Sequence, residues 1–544
     1  MRAKSAKASR AGPELVIGLV GAIGTDMNLV FEELKSALDD LDYTSKKLHL
    51  ISLVERLQPR TASTLPLDEL YERRMNLGDE FCKEKRRADA LAVLGIGQIT
   101  VERQRLTGNE RVPAPRHAYV LSSLKRPEEA GILRDVYGPC FLLISVYSPR
   151  QNRVDKLSED INDSCRGKAR ADYRAMAERL ISRDESEQAA AAESRYVAGV
   201  EYGQNVQSTF PLADIFIDAS NDDRLRDTIR RCVDLFFGSP FMTPTRDEYA
   251  MFHAQAAALR SADMSRQVGA ALATKDGDIL SLGTNEVPKF GGGMYWTGDP
   301  GDGRDFKQPA NANTRAKTNM LAEAIERFNS AGWLSGLVAK LAKNDPEQAM
   351  VKAMRFMSSS QLMDVTEFGR TQHAEMAALL AAARLGVPVQ GCTLYTTTFP
   401  CHNCTRHLIS AGIDRVVYVE PYPKSRAADL HSDSVIIDPS VAVEDKVRFE
   451  PFVGVSPRRY MELFTFGRRQ RTAPEGRPVH WNNDKRRAQP NFTRHAKYFK
   501  FYIFREMEEL GKSKAISQIN TQAATKPAKK ASKRHVNEQQ KGKN

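Results

Sequence analysis

The chain has 544 residues, 41% hydrophobic and 27% charged, with a net charge of +12. That length is too great for one compact core and predicts two or three domains of a soluble globular protein. Seven cysteines show no paired framework, the basic N-terminus is not followed by a signal-type apolar core, and the longest apolar stretch, near residues 15–23, is too short and glycine-rich to span a bilayer. Together these predict a cytoplasmic protein with no membrane partner.

Residues 1–13 predict a disordered basic leader. From 14 to 240, strand-like and helix-like segments alternate. Glu14–Val20 reads as a strand, followed by a glycine turn and a helix carrying Leu29, Val30, Leu34 and Leu38. Further strands are predicted at Leu48–Leu53, Tyr119–Ser123, Cys140–Tyr147 and Ala213–Asp218, with Leu225–Phe237 as the closing helix. This alternation predicts an α/β domain with a doubly wound parallel sheet.

The first turn of that region, Gly21-Ala22-Ile23-Gly24-Thr25-Asp26-Met27-Asn28, stands where G-x-x-x-x-G-K-[ST] would be and resembles the P-loop kinase family. Gly21 matches the first glycine. Asp26, Met27 and Asn28 replace the second glycine, the phosphate-binding lysine and the magnesium-binding hydroxyl. Methionine cannot neutralise a phosphate, and an aspartate in the cradle repels it. The reading is a degenerate P-loop on a P-loop-kinase-like domain that regulates, senses or oligomerises, without ATP hydrolysis. Arg116, Lys125, Arg126, Arg153, Arg183 and Asp184 are the other polar candidates here, with a solvated or structural charge expected of each.

Residues 241–470 form the second predicted domain. Thr245–Leu259 reads as a helix, and Val268–Ala273 and Asp278–Gly283 as antiparallel strands joined by the D-G turn Lys275-Asp276-Gly277. A glycine-rich loop with aromatic residues, Val287–Trp296, and a long, mainly helical insertion follow. Then come His373-Ala374-Glu375 at the start of an apolar helix, a strand at Thr393–Thr397, Pro400-Cys401-His402-Asn403-Cys404 and a last strand at Val416–Val419.

One imidazole and two thiolates are three protein ligands for zinc (Zn2+), leaving a tetrahedral position for water. Cys401 and Cys404 lie at i and i+3, so a helix beginning at Pro400 presents both on one face. Its N-terminal amides favour thiolate over thiol. Glu375 is not needed as a ligand and is the expected proton shuttle. In this chemistry zinc lowers the pKa of water towards about 7, hydroxide attacks C4 of a cytosine, and the carboxylate moves the proton to N3 and helps ammonia leave. H-x-E followed by P-C-x-x-C is the signature of zinc-dependent nucleobase deaminases. A structural zinc knuckle is the bland alternative for the cysteines. His402 is expected at a solvated or core-edge position and Cys392 in a buried strand.

The order helix–strand–strand–helix–strand–helix–strand resembles the cytidine deaminase α/β/α fold. Ser265–Ala270 and Gly283–Pro288 are similar to deoxycytidylate deaminases, whose turn asparagine binds the sugar. That resemblance implies substrate contact for Asn285, with Glu286 beside it and Lys424 as a further candidate for a phosphate. Tyr202-Gly-Gln-Asn-Val206, Ser261–Gly269, Thr396–Cys404 and Glu420-Pro-Tyr-Pro-Lys-Ser425 give a narrower resemblance, across about 14–470, to the bacterial anti-phage dCTP/dCMP deaminases. It implies conversion of deoxycytidine nucleotides to deoxyuridine nucleotides in defence. It also implies homo-oligomers, a hexamer among them, and in some members restraint by an inhibitory small RNA.

Residues 471–544 read as a basic extension, disordered from about 511. Its charge is compatible with simple solvation or with RNA or DNA phosphates. The segment Arg494–Phe504, mixing aromatics with bases, is expected to pack as a strand or helix over the deaminase domain. Two rival functions stay open on the sequence: a deaminase of tRNA or single-stranded DNA, and an RNA-binding regulator whose zinc domain is mainly structural.

Overall fold

The structure, a computed structural model, describes residues 12–57, 65–164, 172–194, 202–357, 367–422, 425–438, 445–465, 471–481 and 501–512, with isolated positions 360, 363, 365 and 490. The segments of continuous apolar character become the centre of a parallel sheet. β1 (Leu15–Gly21), β3 (His117–Leu124) and β4 (Phe141–Tyr147) are buried along almost their whole length. Burial on both faces is what helices packed on each side of a parallel sheet require. With β2 (Thr44–His49) and β5 (Ile215–Asp218) they form five parallel strands in the order β2-β3-β1-β4-β5.

One predicted strand is displaced. Leu48–Leu53 was expected to be extended, but Leu50–Glu55 is helical and the strand lies earlier. β2 is the sheet edge, and its polar run Thr44-Ser-Lys-Lys, with Thr44 and Lys46 exposed, carries little apolar signal.

The second sheet has the order β10-β11-β9-β8-β6-β7, made of β6 (Gly269–Ala273), β7 (Ile279–Thr284), β8 (Thr393–Thr398), β9 (Arg415–Glu420), β10 (Val435–Ile437) and β11 (Val447–Pro451). β6 pairs antiparallel with both β7 and β8, while β8, β9, β11 and β10 run parallel. Strand alternation sorts β6 into two cores. Ala270 and Leu272 pack under the helix Ala374–Leu385, whereas Ala271 and Ala273 meet Ala250, Met251 and Ala254 of the helix Arg246–Ala258. The protein is therefore mixed α/β with two sheets rich in parallel pairs. The insertion carries the helices Ala312–Ser330, Gly336–Asn344 and Pro346–Phe356.

The two sheets share packing. Phe216 of β5 meets Phe452 edge-on at 5.7 Å within the core of the helix Arg246–Ala258. Beyond Phe452 the chain returns to the first sheet as β12 (Gly454–Val455), antiparallel to β5. Glu248, wholly buried, locks this return, accepting from Arg231 at 2.8 and 2.7 Å and from the Val455 amide at 2.8 Å.

The C-terminal segment packs elsewhere than expected. The helix Phe501–Lys512 lies on the first sheet's domain, not over the second, with Tyr502 and Ile503 in that core. The reason is an internal ion pair: Arg103, fully buried, donates to Glu506 at 2.7 and 2.8 Å and to Glu14 at 2.9 Å. Tyr502 Oη donates to Glu14 at 2.6 Å. Helix continues through Gly511 and Lys512, where disorder was predicted to begin; residues 494–500 and 513–544 lie outside the described residues.

Candidate active site

His373 is the N-cap of the helix Ala374–Leu385. Its predecessor Gln372 forms a two-bond bridge with Glu286, at 3.2 and 3.0 Å, just past the end of β7. The helix lies against β7 so closely that a Cβ on Gly283 would stand 2.0 Å from the Ala374 carbonyl and 2.4 Å from the Ala378 amide. Glycine is required there by the approach of two backbones, not by its own dihedrals. The alanines of Ala374-Glu-Met-Ala-Ala378 complete the contact with their small side chains.

Cys401 is the N-cap of a second helix, His402–Ser410, with its Sγ accepting from the Cys404 amide at 3.4 Å. The two helix starts converge. His373 Nδ1 lies 3.3 Å from Cys401 Sγ and 3.4 Å from Cys404 Sγ, and the three ligand atoms all lie within 4.8 Å of one another. Tetrahedral zinc with bonds of about 2.1 Å to nitrogen and 2.3 Å to sulfur holds these atoms roughly 3.6 Å apart, so the donor set and its spacing fit zinc.

Hydrogen bonds from Cys404 and His373 pull the Cys401 thiol down to about 4. The same bond to Cys401, together with burial, pushes Cys404 well up, and His373 rises to about 9 through its bond to Cys401. A metal entering this cluster displaces those protons, so its affinity falls as pH falls. Glu375, only 4% exposed, is pushed up to about 7 by burial, against the pull of His373. A carboxyl poised near neutrality both takes and returns protons.

Asn285 and Glu286 are beside the site, but their side chains face the backbone. Asn285 Oδ1 accepts from the Val268 amide at 2.7 Å, and Nδ2 donates to the Arg266 carbonyl at 2.8 Å. Glu286 accepts from the amides of Ala262 and Val287, both at 2.9 Å. Both residues thus clamp the Ser261–Val268 loop against the His373 segment. Lys424 lies outside the described residues. Cys392 is buried immediately before β8, and His402 is partly exposed on the first residue of its helix.

The glycine turn after β1 is remote in sequence and different in chemistry. Asp26 caps the following helix, Met27–Asp39, accepting from the Asn28 and Leu29 amides at 3.1 and 3.0 Å. A carboxylate therefore sits on the amides that a phosphate would use. Gly24 has φ +83° against the Arg153 carbonyl, Met27 packs over Gly21, and Asn28 accepts from Lys47 at 2.6 Å. Thr25 completes the turn, its amide donating to the Ala22 carbonyl at 3.2 Å. The other polar candidates are held structurally. Lys125 donates to the Gly21 carbonyl at 2.9 Å, Arg126 pairs with Asp79 and Glu129, Arg116 donates to the Leu41 carbonyl, and Asp184 accepts from the Ile23 amide. Arg153 reaches the carbonyls of Ser148 and Ile23, and Arg183 bonds Asn76.

Among charged residues that were not predicted as site candidates, Arg266 of the Ser261–Val268 loop pairs with Glu420 at 3.7 Å. Arg266 lies in Asp263-Met-Ser-Arg266, where the aspartate two residues before a serine is the available signal. Asp263 accepts from the Ser265 amide at 2.8 Å in an Asx turn.

Residues 244–420 match the family described as the cytidine and deoxycytidylate deaminase zinc-binding region. His373, Glu375, Cys401 and Cys404 all fall within the match. Over 53 residues the chain is 47% identical to ComE operon protein 2 of Bacillus subtilis (strain 168), covering 10% of this chain and 28% of that protein. Over 54 residues it is 43% identical to the deoxycytidylate deaminase of Enterobacteria phage T2, covering 10% and 29%. The chain spans less than a third of the length of these curated relatives. Among solved structures it is similar to the dCMP deaminase from the cyanophage S-TIM5 in apo form, at 18% identity and a TM-score of 0.21, covering 39% of this chain and 100% of that one. No helix among the described residues is long and apolar enough to cross a membrane.

Proposed function

We infer that this protein is a zinc-dependent deaminase of free deoxycytidine nucleotides, converting dCMP, dCTP or both to their deoxyuridine counterparts. The observation that carries the reading is the convergence of His373, Cys401 and Cys404 on one point with a buried spare carboxyl, Glu375, beside Cys404, inside a region matching deaminases. His373, Cys401 and Cys404 would hold the metal. When bound, zinc lowers the pKa of water towards about 7 and so supplies a nucleophile. Glu375 would accept that water's proton, deliver it to ring N3, and assist the amine as it leaves as ammonia.

The reading extends to the whole chain through its resemblance to anti-phage deaminases. The first domain, a parallel sheet with a glycine turn and helix after β1, is read as a P-loop-derived domain that senses, regulates or oligomerises; Asp26 on its cradle supports loss of ATP chemistry. Defence against phage, assembly as homo-oligomers and restraint by a small RNA belong to the same reading.

The test uses purified, zinc-loaded, RNA-stripped full-length protein with dCMP, dCTP and a cytosine-bearing oligonucleotide. Ammonia is expected from the monomers, and Glu375→Ala is expected to retain zinc while losing turnover and phage protection. Ammonia from the oligonucleotide alone overturns the choice of substrate, and full phage protection by the Glu375→Ala protein overturns the enzymatic reading.

A further inference from the structure

The carboxyl end of the first sheet holds a serine and a histidine that the deaminase reading leaves unused. β3 and β4 lie on opposite sides of β1, so the strand order reverses there, which is where open α/β sheets bind ligands. At the end of β3 the ladder is broken. Leu19 pairs with Ser122 and Val20 with Leu124, which leaves Ser123 as a bulge. Ser123 also has φ +72°, a left-handed conformation in which a side chain is strained. Bulges re-aim side chains, and strained residues of this kind cluster at reactive and ligand-binding positions.

The bulge turns the serine onto the histidine. His49, the last residue of β2, stands beside Ser122 in the ladder, and its Nε2 lies 3.1 Å from Ser123 Oγ. Its Nδ1 lies 2.9 Å from Ser52 Oγ, and Ser52 is bonded in turn to the Glu55 carboxylate. Arg74 pairs with that carboxylate through Nε and Nη2 at 2.9 and 3.2 Å, which favours its ionised form. An ionised carboxylate only accepts, so Ser52 donates to Glu55 and accepts from His49 Nδ1–H. In a neutral ring Nε2 is then bare and accepts the Ser123 hydroxyl. Burial, with Arg74 and Lys47 adding to it, pushes His49 down to about 4, so the ring is neutral at physiological pH. Ser123, His49 and Ser52 are each partly exposed.

Positive charge stands nearby. Lys47 and Lys125 both act electrostatically on His49. Lys47 donates to Asn28 Oδ1 at 2.6 Å and Lys125 to the Gly21 carbonyl at 2.9 Å, neutral acceptors that leave each ammonium donor hydrogens to spare. Asp26 and Glu32 offset the charge of Lys47 in part.

We propose that the first domain carries a second reactive centre, in which Ser123 is a nucleophile towards carboxylic esters that bear an acidic group. His49 takes the Ser123 hydroxyl proton at Nε2 as Oγ bonds to the acyl carbon. It returns that proton to the departing alkoxide as the ester C–O bond breaks, and an alcohol leaves. Water then enters by the same route: His49 takes its proton, the hydroxide displaces Oγ from the acyl carbon, and the proton passes to Oγ as the acid is released. Ser52 and Glu55 hold the tautomer this needs, and Lys47 and Lys125 attract the acidic group. The centre is separate from the zinc site and does not depend on the deaminase reading.

The experiment uses the zinc-loaded full chain with a fluorophosphonate probe, which phosphonylates activated serines with loss of fluoride, and with two p-nitrophenyl esters, the neutral acetate and the acidic hemisuccinate. A single adduct by intact mass, mapped to Ser123, and faster p-nitrophenol release from the acidic ester are expected. Ser123→Gly, in which glycine adopts φ +72° without strain, should keep wild-type zinc content and thermal stability and take up no probe. His49→Gln should slow labelling roughly 100-fold or more. Glu375→Ala should label at the wild-type rate. A folded wild type that takes up no probe, continued labelling of Ser123→Gly, unslowed labelling of His49→Gln, or loss of labelling in Glu375→Ala overturns the proposal. Equal rates on the two esters overturn the assignment of an acidic substrate.

Discussion

Replacing Gly283 by alanine asks whether the metal site depends on one close backbone approach. The added Cβ would stand 2.0 Å from the Ala374 carbonyl oxygen and 2.4 Å from the Ala378 nitrogen, both backbone atoms of the helix that follows His373. Cβ contacts below 3.0 Å are essentially never tolerated, so the helix start must retreat by 1.0 Å at the carbonyl. Ala374 lies between His373 and Glu375 in the chain. The retreat therefore moves the imidazole and the Glu375 carboxyl together relative to Cys401 and Cys404. Constellations of this kind tolerate about 0.5 Å, and a misplacement of about 1 Å costs roughly 100-fold in rate. The overpacking itself costs about 1–3 kcal/mol. Zinc per chain by elemental analysis, kcat with dCMP and urea unfolding are the three readouts. Gly131→Ala is the control: Gly131 lies within the helix Pro127–Tyr137 with nothing within 4 Å of the new methyl, so that change should leave zinc and turnover intact and add up to about 1 kcal/mol. Full zinc content, wild-type rate and unchanged stability in Gly283→Ala would refute the argument from close approach.

Two other changes probe how the chain is held together. Glu506→Ala leaves Arg103, buried with no exposed surface, facing Glu14 without its second carboxylate, which should cost about 3–5 kcal/mol in urea unfolding and expose the helix Phe501–Lys512 to protease; stability within about 1 kcal/mol of wild type contradicts it. Asp438 is pushed up to about 6 by burial, although Tyr147 and Tyr418 donate to it. Its folded carboxyl binds a proton more tightly than the unfolded one, so its contribution to stability is greatest below the ordinary carboxyl range and declines as pH rises through about 6. Against Asp438→Asn, wild type should therefore lose relative Tm between pH of about 4.5 and 7, and parallel pH profiles for the two proteins would reject this account.

The cluster of His373, Cys401 and Cys404 was legible in the sequence because its spacing is a local code. A histidine at one helix start and cysteines at i and i+3 of another can be read without knowing what lies between them. Asn285 and Glu286 show where such reading ends. Their location beside the site followed from the turn after a strand, but whether an amide faces a ligand or a backbone depends on the Ser261–Val268 loop folding back over it. The short parallel strands β10 and β11, of 3 and 5 residues, were missed because so few positions carry no distinguishable period. The docking of the C-terminal helix was invisible for a different reason. Its decisive contact joins residues 403 apart in the chain, and a glutamate that ends in a buried pair looks in sequence like any solvated one.

The same distinction bears on how the two sheets relate. Length predicts two or three domains in series; Phe452 enters a core with Phe216, β12 closes the edge of the first sheet, and Glu248 ties Arg231 to Val455. Polar contact crosses at a second point, where Tyr147 at the end of β4 and Tyr418 of β9 both donate to Asp438. Tyr418 packs edge-on against Phe399 at 4.9 Å, and Phe399 is two residues before Cys401. A displacement at the carboxyl end of the first sheet therefore meets packed side chains, not a linker, before it reaches Cys401. Close-packed interiors transmit such strain because they have few voids to absorb it. Substitutions in the first sheet should be judged by zinc content as well as by their local packing.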